Sequence, residues 1–312
     1  MSRSLWLEDK RPPFGEIVLL AILSLTPLLR AQDMEPRAYS PSPVGTSFLL
    51  VGFARSSGGI TFDPTIPITD VHAALYAPLV GIGHSFGLFK RQALITAALP
   101  YVWGDLTGQV GDQNGRITRS GLADLKARAS INLHGSPALT PREFAASNHR
   151  VFVVAASVAV DAPTGQYDNT KLINLGTNRW GFKPEIGFSY PVKRVDLDLY
   201  FASWFFTENP RFYPALSTRT QAPLTSVQAH VSYTVRRALW VAVDATWYGG
   251  GAARLNGGPA LGRQSNSRLG ATGSIPLWKK QSLKVSYSSG ATTETGSSFS
   301  TVSVGWQYVW LQ

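Results

Sequence analysis

Residues 120–134 read SGLADLKARASINLH, and in this stretch polar and apolar side chains alternate one by one. Successive side chains of a β-strand point to opposite sides, so a period of two sorts residues onto two faces, whereas a helical period would scatter them. The polar face comprises Asp124, Lys126, Arg128, Ser130, Asn132 and His134, and the other face carries only Ala, Leu and Ile. In a soluble sandwich the apolar face would pack in the core. In a membrane barrel it would face lipid, and the charges would face inward.

The composition is low in charge and lacks cysteine. Of 312 residues, 15% are charged and none is Cys, whereas about a quarter of the residues of a soluble domain are charged. The formal net charge is +10, but the basic residues form no block, which argues against a nucleic-acid interface. Without Cys no disulfide framework can form, so hydrogen bonds and packing must hold the fold together.

The N-terminus has the features of an export signal. Arg3, Lys10 and Arg11 precede IVLLAILSLTPLL, an apolar run of 13 residues, which is too short for a spanning helix of roughly 20 apolar residues. LRA at 29–31 resembles a small-residue cleavage site. We therefore expect residues 1–31 to be a signal peptide.

Two-faced segments recur through the rest of the chain. We predict twelve strands, at 46–56, 70–80, 91–104, 118–134, 149–161, 179–190, 194–207, 222–235, 239–249, 265–275, 281–289 and 298–311. Each is near the ~10 residues that a tilted strand needs to cross an outer membrane. Trp and Tyr lie near strand ends, where amphipathic rings can reach lipid headgroups. The pattern predicts an all-β fold, a transmembrane antiparallel up-and-down β-barrel of about 12 strands. The alternative is a large secreted β-protein with an aromatic core.

The connections between these strands tend to alternate in length. Short turns and longer loops at opposite ends are typical of outer-membrane barrels, and they place 105–117, 162–178 and 208–221 outside the cell. The connection HGSPALTPREFAASN at 134–148 is long where a short periplasmic turn is expected. We expect a periplasmic segment at 32–45, followed by the barrel at 46–312.

Four segments together resemble a known family. They are ALPYVWGDL at 98–106, SGLADLKAR at 120–128, APTGQYDN at 162–169 and LGTNRWGFKPEIGFSY at 175–190. Their order and spacing resemble those of the outer-membrane transporter family associated with the meta-pathway of phenol degradation, although Ala123-Asp124 stands where that family commonly has Gly-Asp. The resemblance implies a bacterial outer-membrane barrel that takes up aromatic or other hydrophobic compounds. The C-terminal VGWQYVWLQ resembles an outer-membrane assembly signal, except that it ends in Gln312.

The polar residues opposite the apolar faces are the candidate lumen residues. We predict that the lumen is lined by Asp124, Lys126, Arg128, Lys183, Glu185, Arg194, Asp196, Asp198, His230, Asp244, Arg268 and Lys284. Their charges nearly balance, and a ring of one sign, as in an ion-selective pore, is not evident. Paired charges could line a path for solutes, or they could serve only to fix the register of the strands.

One pair of residues has catalytic potential. His230 and Ser232 are two positions apart on one strand face, as in outer-membrane phospholipases, where the imidazole takes the hydroxyl proton. Asp244 on the neighbouring strand is a candidate to orient the histidine. The simpler interpretation is a polar lumen face that runs through this strand. The other histidines lack metal-ligand spacing, and Gly111–Gly115 lacks the oxygen ligands of a calcium loop, so we expect no metal and no cofactor.

These observations predict a non-enzymatic outer-membrane channel or transporter, monomeric or trimeric, that passes small aromatic or hydrophobic solutes by passive diffusion. The alternatives are a lipid hydrolase that uses Ser232 and His230, and a closed barrel that anchors loops or a partner. The expected partners are small-molecule solutes, the lipid bilayer of the outer membrane and the barrel assembly machinery, with no nucleic acid.

Overall fold

The computed structural model describes residues 34–61, 68–110, 113–148, 150–171, 173–213, 216–278 and 280–311, so the expected signal peptide lies outside the described residues. The strands are β1 (Thr46–Thr61), β2 (Ile68–Leu88), β3 (Arg91–Val110), β4 (Gln113–Leu122), β5 (Leu125–His134), β6 (Val153–Ala162), β7 (Gly181–Val192), β8 (Val195–Phe206), β9 (Asn209–Phe212), β10 (Ser217–Gln221), β11 (Leu224–Arg236), β12 (Leu239–Gly250), β13 (Ala253–Leu255), β14 (Gln264–Pro276), β15 (Gln281–Thr292) and β16 (Gly296–Leu311). A short helix, α1 (Pro141–Ala146), lies between β5 and β6.

Thirteen of these strands form one antiparallel sheet that closes on itself. β1 pairs with β16 and with β2, and β2 pairs with β3, so the sheet has no free edge along these strands. β4 and β5 together occupy one strand position beside β3, because β3 pairs with β4 along Tyr101–Val110 and with β5 along Ala93–Ala98. The result is a barrel of twelve strand positions in chain order, which confirms the predicted fold.

The two faces of the barrel wall have opposite character. In β11, Gln228, His230 and Ser232 are buried inside, whereas Val231 is 53% exposed and Tyr233 is 44% exposed. A soluble protein would bury the apolar face instead, so this arrangement argues against the secreted alternative. Near the end of the chain, Trp306, Tyr308 and Trp310 stack along β16 with centroid distances of 6.4 and 5.9 Å.

The inner face is not polar everywhere. Six buried side chains pack together inside the wall formed by β1, β2, β3 and β16: Ile60, Val71, Ala73, Leu75, Leu106 and Phe299. β2 and β3 are also long, with 21 and 20 residues, about twice what a membrane crossing needs. This side of the barrel therefore extends well past the length of a spanning strand and is apolar inside.

Two smaller elements lie in the connections. β9, β10 and β13 pair into a separate three-stranded sheet within the loops that follow β8 and β12. In the long connection after β5, the Thr140 side chain accepts a hydrogen bond from the backbone of Glu143, and the Glu143 carboxylate accepts one from the backbone of Thr140. This capping box starts α1 and accounts for the length of the connection. Across the described ranges, no helix is long and apolar enough to cross a membrane.

Candidate functional site

The segment that precedes β1 lies inside the barrel. We call residues 34–42 the N-terminal segment. Arg37 donates hydrogen bonds from Nη2 to Asp196 at 2.6 Å and from Nε to Ser232 at 2.7 Å. These acceptors belong to β8 and β11, on the inner face of the wall. We expected residues 32–45 in the periplasm, and the described part of that range instead contacts inward-facing side chains, because its polar groups match those of the lumen.

Tyr39 is the buried centre of this segment. Its hydroxyl donates to Glu185 at 2.7 Å, its ring meets Tyr200 edge to face at 5.2 Å, and the Arg128 guanidinium lies 4.9 Å from its centroid. A Cβ at position 187 would overlap the Tyr39 ring, so the glycine there allows the ring to approach the wall. The N-terminal segment is therefore packed as well as hydrogen-bonded.

A loop enters the lumen from the opposite end. We call residues 163–171 and 173–180 the inner loop. Asp124, between β4 and β5, accepts hydrogen bonds from the backbone of Gly165 and of Thr177, each at 3.1 Å, and from the Thr177 hydroxyl at 2.5 Å. Ile173 of the inner loop packs against the apolar cluster that contains Leu75. Asp124 thus holds the loop where the strand is interrupted, and this explains the break between β4 and β5.

A cavity of about 410 Å³ lies between the N-terminal segment and the inner loop. One side, here the apolar wall, consists of Leu50, Gly52, Ala54, Leu75, Ala77, Leu79, Pro100, Val102 and Leu106 from β1 to β3. The neighbouring side, here the polar wall, consists of Thr272, Lys284, Ser286, Ser288, Thr301 and Ser303 from β14 to β16, and it adjoins the apolar wall where β16 pairs with β1. Pockets of this volume hold small molecules.

Eleven of the twelve predicted lumen residues lie on the inner side of the wall. Most are paired: Arg128 with Glu185 at 2.9 Å, Lys183 with Glu185 at 3.2 Å, and Lys126 with Asp161 at 3.7 Å. Asp196 pairs with Arg37, and Asp198 accepts from Ser189 at 2.5 Å. Arg194 is the exception. It lies exposed in the turn before β8, which begins at Val195, so its placement in the lumen is corrected.

Several partners of these charges were not predicted. Glu35 binds Arg128 at 2.7 Å, and Arg37 and Arg150 both bind Asp196. Glu35 and Arg37 precede the first strand and have no periodic pattern, so the sequence carries no signal for their position. Asp161 could have been found, since it alternates with apolar residues at the end of β6.

His230 and Ser232 do not form a catalytic arrangement. As predicted, Asp244 approaches His230, with 2.7 Å between Oδ1 and Nδ1, and Thr272 donates to the other carboxylate oxygen at 2.7 Å. The Ser232 hydroxyl, however, accepts from Arg37, and in the described chain the Nε2 atom of His230 makes no hydrogen bond. Both side chains are buried within the lumen, away from the lipid-facing surface. Within the residues that the structure describes, no cluster of three His, Asp or Glu side chains could hold a metal.

Comparisons with known proteins agree with this architecture. The family model described as "Putative MetA-pathway of phenol degradation" matches residues 68–308. An outer membrane channel from Pseudomonas putida F1 superposes with a TM-score of 0.74 at 18% identity, covering 89% of this chain and 100% of that one. The β domain of the Bordetella autotransporter BrkA gives 0.53 at 12% identity, over 85% and 100% of the two chains. The transport unit of the autotransporter AIDA-I from Escherichia coli gives 0.51 at 12% identity, over 94% and 96%. No curated protein matches the chain. At these identities the structural likeness shows the fold.

Proposed function

Because the chain belongs to the family described as the MetA-pathway of phenol degradation, we propose that it is an outer-membrane channel that passes small aromatic or hydrophobic solutes by passive diffusion. The observation that carries the proposal is the cavity with its apolar wall, enclosed in a closed barrel. A purely polar lumen would suit ions or sugars. An apolar inner surface of this length suits a compact hydrocarbon body, because its transfer from water onto the wall is favourable.

The path through the barrel is narrow. Barrels of eight strands are filled by side chains, and those of sixteen or more leave an aqueous channel, so twelve strands lie between these limits. Here the N-terminal segment fills one part of the lumen, and the inner loop fills another. Passage of a solute therefore requires the N-terminal segment to move. Water can replace its hydrogen bonds and ion pairs to Asp196, Ser232 and Glu185, and the packing of Tyr39 against Tyr200 must also be broken.

The enzyme alternative has less support. A lipid hydrolase needs its nucleophile at the lipid surface, with the histidine free to take the proton. Ser232 is instead bound by Arg37 inside the lumen. We therefore propose that the protein does no chemistry on its solutes. The closed-barrel alternative predicts that neither ions nor solutes pass through the barrel, and the next experiment tests this.

Single-channel recording in a planar bilayer tests the proposal. We expect a small conductance for the purified full-length protein and a partial block by phenol or toluene, because these solutes occupy the cavity. The double variant Arg37→Ala, Tyr39→Ala should conduct several-fold more, since the N-terminal segment loses its main contacts. Arg142→Ala, at an exposed position of α1, is the matched control and should leave the conductance unchanged. If neither the wild type nor the double variant conducts or takes up solutes in liposomes, the barrel is closed and the proposal fails.

A further inference from the structure

The cavity in the lumen joins two surfaces of different chemistry. Leu75, Leu79 and Val102 present hydrocarbon on the apolar wall, and Lys284 with hydroxyls of β15 and β16 lines the neighbouring side of the cavity. A neutral hydrocarbon would use only the first surface. A ligand with an apolar body and a polar head would use both.

The acids around the cavity are already engaged. Glu35 accepts from Arg128 at 2.7 Å, and Asp161 pairs with Lys126 at 3.7 Å. Asp124 accepts the three hydrogen bonds that hold the inner loop. The basic residues that line the cavity outnumber the acids: they are Arg119, Lys126, Arg179, Arg219 and Lys284. The part of the cavity lining that the structure describes therefore has a surplus of positive charge.

Lys284 is the cation that the polar wall contributes to the described lining of the cavity. Lys284 lines the cavity and makes no hydrogen bond or ion pair with the described chain; Glu35, whose charge acts on it, is bound by Arg128. Ser286, on the same face of β15, also lines the cavity. An anion at this wall would stabilise a half-buried cation that forms no ion pair within the described residues.

From this geometry we propose that the cavity is a binding site for organic monoanions in which one carboxylate is joined to a compact hydrocarbon body. The carboxylate binds Lys284 and the Ser286 hydroxyl, which lies two residues farther along the same face of β15, and the hydrocarbon lies on the apolar wall at Leu75, Leu79 and Val102. This inference rests on the proposed channel function and names the class of solute. Charge-assisted hydrogen bonds to the carboxylate give specificity, and the apolar wall gives affinity for the body.

Equilibrium binding to the purified full-length protein tests the site with three probes. Benzoate has both parts, benzyl alcohol keeps the ring without the charge, and acetate keeps the charge without the ring. We expect benzoate to bind at least tenfold more tightly than either of the others. Lys284→Gln should weaken benzoate binding at least tenfold and leave benzyl alcohol unchanged, and Lys284→Arg should restore benzoate binding. Leu79→Ser should weaken both ring-bearing probes and leave acetate unchanged.

Lys193→Gln is the matched control, because it removes the same charge from an exposed turn. Heat-modifiable migration in gels checks that every variant forms the barrel. The inference is overturned if benzoate and benzyl alcohol bind equally, or if Lys284→Gln binds benzoate as well as the wild type does. Liposome uptake separates this result from the channel proposal. Uptake of phenol without benzoate binding would refute the site alone, whereas Lys284-dependent binding without any uptake would refute the channel alone.

Discussion

Arg128 connects the barrel wall to the N-terminal segment. Its guanidinium binds Glu185 of β7 and Glu35, and it lies over the ring of Tyr39. The alternation in residues 120–134 was sufficient to predict that Arg128 faces inward. It could not identify Glu35 as a partner, because that residue is 93 positions away in a stretch without periodicity. The face of a strand on which a residue lies can be predicted from the local alternation, whereas its partners from distant parts of the chain depend on how the wall curves.

The inner loop depends on one carboxylate. Asp124→Ala should release the inner loop, since the donors of Gly165 and Thr177 lose their acceptor and each buried donor left unsatisfied costs about 1–3 kcal/mol. Limited proteolysis should cut the loop faster while the barrel stays heat-modifiable. Asp105→Ala is the control, since Asp105 bonds Arg116 and Thr118 at an exposed site, where such a pair contributes little. Equal cleavage of the two variants would contradict the role of Asp124.

A second residue-scale prediction concerns the outer face. Val243 lies in the middle of β12 and is 66% exposed on the outside of the barrel. Val243→Arg should reduce the folded fraction in gel-shift assays, because a lysine or arginine facing lipid near the midplane costs roughly 2–4 kcal/mol. Val243→Leu should fold like the wild type. A fully folded arginine variant would mean that this face does not meet lipid.

At the scale of elements, all twelve predicted strands are present, but their connections hold more structure than expected. The segment predicted as one strand over 118–134 is β4 and β5 with a break at Ala123-Asp124. β9, β10 and β13 have four, five and three residues, too few for a period of two to be recognised. α1 was not predicted either. Its capping box is a local signal in TPRE that would have located it.

The inner loop also carries a pH-dependent turn. The Asp168 carboxylate accepts from the backbone and hydroxyl of Thr170 and pairs with Lys171, and these contacts lower its pKa to about 2. Because the pKa is depressed in the folded loop, the turn is fully stabilised above the ordinary aspartate pKa and loses this contribution as pH falls toward 2. An NMR titration of Asp168 should give the lowered midpoint in the wild type. Thr170→Val should move the midpoint up, and an unchanged value would contradict the assignment.

The sidedness of the connections is testable because the chain has no Cys. Asn114 lies within the connection 105–117 that we expected outside the cell, and the structure places it at the start of β4; Arg142 is exposed on α1 at the other end of the barrel. With a membrane-impermeant thiol reagent, Asn114→Cys should be labelled on intact cells. Arg142→Cys should be labelled only after the outer membrane is permeabilised. The reverse result would invert the orientation.

At the scale of the whole molecule, the barrel wall has two unlike halves. The side formed by β1, β2 and β3 is tall and apolar inside, and the side from β5 to β15 is rich in polar and charged side chains. The sequence predicted an inner wall of balanced charge. It did not predict the apolar half, because the expectation that apolar faces meet lipid does not allow for inward-facing apolar side chains such as Leu75, Leu79 and Val102.

The seam between β1 and β16 has a consequence for the timing of assembly. The first strand pairs with the last, from Thr46 with Leu311 to Thr61 with Gly296, so the cylinder cannot close until synthesis of the chain is complete. Pairings this remote in sequence form slowly. The residues just before Thr46 can reach the lumen either before the seam closes or afterwards, through the end of the cylinder at which β1 begins. A bulky domain fused ahead of residue 34 separates the two orders. In a pulse-chase experiment a delayed heat-resistant band would show that the segment enters before closure, and the same domain inserted at α1 should cause no delay.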